Sequence, residues 1–110
     1  MRIFDVASKV YLSGEYILGA EQTDSHACYL IYGILKAGER GRELKPGRGH
    51  EEIILVLQGD LSFHGNYAGI LKQGQALHLH GDEACLVDNP NDKEAVYVIA
   101  GGHAEGGHHR

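Results

Sequence analysis

The sequence predicts a single all-β domain, and three observations predict it. Apolar runs of four to nine residues, rich in β-branched and aromatic side chains, recur along the 110-residue chain. Turn signals separate them: sixteen glycines stand against two prolines, with Gly59-Asp60, Gly65-Asn66, Gln73-Gly74 and Asn89-Pro90-Asn91-Asp92 among the junctions. No stretch carries the apolar periodicity of a long amphipathic helix. A sandwich or barrel of short strands is therefore expected, at a length that buries one core.

Taken in order, residues 1–14 are weakly patterned and fit either a short edge strand or one helical turn. Tyr16-Ile17-Leu18 reads as a strand stopped by Gly19, and residues 21–25 as a polar loop. Residues 28–36 form the longest apolar run, in which Gly33 permits a bulge or a close approach. Residues 37–49 read as a loop with an extended piece near 43–45. Strands follow at 51–58, 61–64 and 67–71. At 76–80, Leu77 and Leu79 alternate with His78 and His80, so one face is apolar and the other carries imidazoles. Strands at 84–87 and 95–100 complete a domain spanning 1–100, and 101–110 is a Gly/His-rich tail. His103, His108, His109 and Glu105 give that tail a metal-prone composition, either as a disordered segment or folded back to donate a ligand at a barrel mouth.

The formal charge of −5 lacks the basic excess of a nucleic-acid binder. Locally, Lys36, Arg40, Arg42, Lys45 and Arg48 place half of all Lys and Arg within 36–48, either as a solvated loop or as a mouth that attracts an anion. Cys28 and Cys85 are too few for a disulfide framework. Residues 1–10 lack the features of a secretory signal, and no apolar run approaches the roughly 20 residues of a membrane span. A soluble cytoplasmic protein with reduced thiols, bound neither to membrane nor to nucleic acid, is the expectation.

The chain is organised around residues 46–59, Pro-Gly-Arg-Gly-His-Glu-Glu-Ile-Ile-Leu-Val-Leu-Gln-Gly. A buried strand begins there with His50, Glu51 and Glu52 at its mouth. Glu52 stands seven residues before Gly59, and Gly74 and Asn89 bracket a second motif. From 38 to 89 the chain resembles the cupin superfamily, whose motifs read G-x5-H-x-H-x3,4-E-x6-G and G-x5-P-x-G-x2-H-x3-N. The resemblance implies a cupin-type jelly-roll β-barrel, a homodimer, and one divalent metal ion held by three histidines and a glutamate. Of those four positions only Glu52 is retained; Pro46, Arg48 and Cys85 occupy the others.

Three readings follow. A rebuilt metal site would use His50, which faces the same way as Glu52 on an extended strand, with Cys85 and His80, or His78 in its place, to hold Zn, Ni, Mn or Fe. A metal-free pocket would pair Arg48 with Glu52 and bind a small polar or anionic molecule among Arg48, His50, Glu52, His78, His80 and Cys85. There, His50 or His80 beside Glu52 is the candidate pair for proton transfer. A structural barrel would use none of them. Small-molecule binding, with or without a metal, is the expected function; a metalloenzyme of isomerase, dioxygenase or decarboxylase type is the alternative. No catalytic residue is assigned.

Overall fold

The computed structural model describes residues 1–103, the side chain of Leu12 excepted. The chain runs through a 3₁₀ helix Ala7–Leu12, β1 (Glu15–Leu18), a short helix α1 (Ala20–Thr23), β2 (Cys28–Leu35), β3 (Arg42–Leu44), β4 (His50–Gln58), β5 (Leu61–Gly65), β6 (Gly69–Leu71), β7 (Ala76–His80), β8 (Cys85–Asp88) and β9 (Ala95–His103). The strands form a five-stranded sheet ordered β1-β2-β9-β4-β7 and a four-stranded sheet ordered β3-β8-β5-β6. Every pairing is antiparallel. One core lies between the sheets, with Leu35, Ile54, Val56, Tyr97 and Ile99 from the larger and Leu44, Leu61, Phe63, Cys85 and Val87 from the smaller. The strand pattern predicts this all-β architecture, and the jelly-roll barrel is the form that the cupin resemblance implies.

Of the two forms open to the first segment, the structure takes the helical turn at residues 7–12, where Val10 buries completely against Ile34 and Val96 on the face of the larger sheet turned away from the core. Two departures from the predicted elements follow from capping and strand pairing. The polar segment after Gly19 makes one turn of helix, with Gln22 Oε1 accepting the Gly19 N–H at 2.7 Å. β9 continues three residues beyond the predicted 95–100, because Gly101 and Gly102 still pair with Tyr29 and Cys28 on one side and with Glu52 and Glu51 on the other. His103 thus belongs to the barrel, whereas Glu105, His108 and His109 lie outside the described residues.

Gly33 provides the close approach expected of it. It sits opposite Tyr97 on β9, and a Cβ there would stand 2.2 Å from the Tyr97 ring. The buried Tyr97 hydroxyl donates to the Glu15 carboxylate and accepts from Arg42 Nη1 at 3.1 Å. The same nitrogen donates to the carbonyls of Ile34 at 2.8 Å and Gly14 at 3.1 Å, so Arg42, from the basic segment, is a structural cation.

Asn89, the last residue of the second motif, is fully buried. Its Nδ2 donates to the carbonyls of Leu35, Lys36 and Lys93 at 3.0, 3.0 and 2.9 Å, while Oδ1 accepts from Asn91 N and Nδ2. One amide side chain therefore satisfies the end of β2 and the approach to β9. Asn89→Ala would remove this donor from the buried Leu35 carbonyl and the partly buried Lys36 and Lys93 carbonyls, and is expected to destabilise by about 3 kcal/mol. Urea unfolding measures the loss; Asn89→Asp should cost at least as much, since a carboxylate would face the same carbonyls.

Candidate functional site

The mouth of the barrel is built by alternation along β4. His50, Glu52, Ile54 and Val56 fall on the face turned toward the core, while Glu51 and Ile53 fall on the other. Opposite Glu52 stand Leu79 on β7 and Gly101 on β9, and opposite Gly101 stands Tyr29 on β2. With no side chain at 101, the Tyr29 ring lies across β9; a Cβ there would be 2.3 Å from Tyr29 Cζ. The Tyr29 hydroxyl reaches Glu52 and donates to Oε2 at 2.6 Å.

Tyr29 and Glu52 line a cavity of about 400 Å³ with Lys45, His50 and His103, walled on its apolar side by Ile17 and Ile31. Glu52 is only 5% exposed. Burial pushes its carboxyl above the ordinary range, opposed by the Tyr29 hydrogen bond, with smaller effects from Glu15 (raising) and His50 (lowering). Burial, and then the hydrogen bond to Glu52, pushes the Tyr29 hydroxyl up as well, so it stays a donor. His50 packs edge-on to Tyr29 at 5.6 Å between ring centres and lies 4.9 Å from the His103 ring. Its Nδ1 donates to the Pro46 carbonyl at 3.2 Å, so in the neutral ring Nε2 is the acceptor.

The residues singled out in the sequence divide among four places. His50 and Glu52 share the mouth cavity, as their spacing implies. Arg48 is exposed beside Gly49, Gly81 and Asp82 and forms no ion pair among the described residues; Glu52 has Tyr29 as its partner. Cys85 is 1% exposed within the apolar core, where β8 pairs it with Leu44 and Gly65. His78 and His80 are exposed on the face of β7 away from the core, beside Glu51. Tyr29, Lys45 and His103 complete the cavity; the sequence gave Tyr29 no role there, but placed Lys45 in the cluster read as an anion-attracting mouth and His103 in the tail read as able to reach a barrel mouth. For Tyr29 the usable signal was the glycine pair 101–102 in a strand-like run, which marks a close approach.

Among the described residues, the metal implied by the resemblance finds no group of three donors inside the barrel. Among the described residues, the one group of three His, Cys, Asp or Glu donor atoms lying within 4.8 Å of one another is Glu51, His78 and His80, on the outer face. Inside, His50, Glu52 and His103 do not close to that distance, and Cys85 is held in the core.

No protein-family model matches the sequence, and no curated protein matches it. Solved structures do match the fold. A predicted oxalate decarboxylase from Thermotoga maritima superposes with a TM-score of 0.67 at 19% identity, over 82% of this chain and 81% of that one. The Cnp3 cupin domain of Schizosaccharomyces pombe gives 0.67 at 11% identity, over 82% of this chain and 64% of that one. A sugar phosphate isomerase from a cupin superfamily, from Silicibacter pomeroyi, gives 0.63 at 13% identity, over 94% and 68%. The chain is a cupin-fold protein: a small jelly-roll barrel with an ionisable pocket at its mouth.

Because the folded state holds the Glu52 proton more tightly than the unfolded chain, stability falls as pH rises from the ordinary glutamate range through the raised value. Glu52→Gln cannot ionise. Melting curves against pH should therefore show the variant no more stable than wild type below about pH 4 and more stable at pH 7. A wild type that melts higher than Glu52→Gln at pH 7 would contradict this account of the buried carboxyl.

Proposed function

We propose that the protein binds a small polar or anionic molecule in the mouth cavity, without a metal in the barrel. The observation that carries this reading is Glu52, a buried carboxyl at the wall of a roughly 400 Å³ cavity, kept there by one tyrosine hydroxyl. A protein that needs only a core would place an apolar residue at that position. Lys45, His26, His50 and His103 border the same cavity and supply cationic or donor groups. The fitting ligand carries a carboxylate or phosphate for that rim and a hydroxyl that donates to Glu52. Two fold neighbours are named for substrates of this chemistry, oxalate and a sugar phosphate.

A second reading, proton transfer on the bound molecule, is favoured by His50, whose Nδ1 contact with Pro46 leaves Nε2 free to accept a proton beside Glu52. Under it, deuterium from solvent would enter a bound hydroxy-aldehyde or hydroxy-ketone phosphate, and His50→Gln would abolish the exchange.

Binding is tested by thermal shift with tartrate and glucose 6-phosphate as probes. At ten times Kd a ligand stabilises by about 1.4 kcal/mol, which is several degrees for a domain of this size. Wild type should respond to at least one probe, Lys45→Ala less, and Glu52→Ala not at all. If neither probe moves the wild-type melting temperature, or if both variants respond as wild type does, the reading fails.

A further inference from the structure

The geometry points to a divalent transition-metal site on the outer face of the larger sheet, formed by Glu51, His78 and His80 and separate from the barrel mouth. His78 and His80 are two residues apart on β7, so both project from the same face, with ring centres 4.6 Å apart. β4 brings Glu51 directly opposite His80 and diagonal to His78. One carboxylate oxygen, Glu51 Oε1, lies 2.8 Å from His78 Nε2 and 3.8 Å from His80 Nδ1.

Ligands at the zinc bond lengths of 2.0–2.1 Å stand about 3.3 Å apart around a tetrahedral ion. The observed 2.8 and 3.8 Å bracket that spacing, so small side-chain rotations suffice. The ladder between β4 and β7 holds the backbones in register throughout. All three side chains are 41–61% exposed, which lets an ion enter from solvent and keeps a fourth position for water. Beside Glu51 the outer face is open over Gly102 and Ala100, in a shallow depression that also reaches His78. Two imidazoles and one carboxylate select Zn²⁺, Ni²⁺ or Cu²⁺ over Mg²⁺ or Ca²⁺, which take all-oxygen shells. β7 is the edge strand of its sheet, so a bound ion would also fasten that edge to β4.

The experiment titrates the full chain with Zn²⁺ by calorimetry and with Co²⁺ by visible absorption. His78→Ala and His80→Ala should each weaken one stoichiometric site on the order of a hundredfold, since ligand loss costs at least what loss of a supporting contact does. Glu51→Gln should weaken it as well, whereas His108→Ala/His109→Ala should leave it intact. As a readout on the wild type alone, Zn²⁺ should shift the imidazole ¹⁵N resonances of His78 and His80. The site is disproved if wild type shows no stoichiometric binding, if those resonances do not move, or if binding is lost only in the His108/His109 variant.

Discussion

The register of β4 between β9 and β7 is the constraint on which the rest of this structure depends. It sets Glu52 against Gly101 and Leu79, and Glu51 against Gly102 and His80. The period of a strand is two, so a slip of one residue would exchange every pair. Glu51 would then enter the barrel and Glu52 would face the imidazoles. β4 does little to prevent this by itself, because Ile53, Ile54, Leu55, Val56 and Leu57 are apolar on both faces. β7 supplies the discipline: its clean alternation turns Leu77 and Leu79 inward and His78 and His80 outward. The bulge at Leu57, between the paired Val56 and Gln58, fixes the other end.

Two neighbouring carboxylates therefore meet opposite physical conditions. Glu52 is desolvated, accepts from one hydroxyl, and lines a cavity bordered by Lys45, His50 and His103. Glu51 is hydrated, lies between imidazoles, and faces solvent with room for an ion. The pleat of one strand separates the two environments. In a barrel this small, the two faces of the larger sheet present different side chains of one strand, Glu52 to the mouth and Glu51 to the outside.

The all-β class, the strand positions to within a few residues and the motif spacing were legible because each rests on local signals: β-branched runs, glycine turns and fixed offsets. The extension of β9 was not, since glycines and a histidine read as a tail until the pairing of Gly101 with Tyr29 is known. The candidate site was legible only in its first pair. His50 and Glu52 share a face of one strand, which spacing alone implies. The grouping of His80 with Glu52 required knowing which glutamate β7 would face, and an apolar β4 without alternation carries no such information. Cys85 matched a ligand position by count, but its place in the smaller sheet turns it into the core. Arg48 lies in the approach to β4, where the two-residue period no longer governs direction.

The contact between Tyr29 and Gly101 ties the pocket to a residue far along the chain. Only a glycine at 101 lets the tyrosine lie across β9, and only that placement gives Glu52 its donor. The three positions therefore form one physical unit spanning β2, β9 and β4. Among descendants of this chain, a side chain gained at 101 would release the tyrosine from its constraint, and the glutamate would then be expected to drift to an apolar residue.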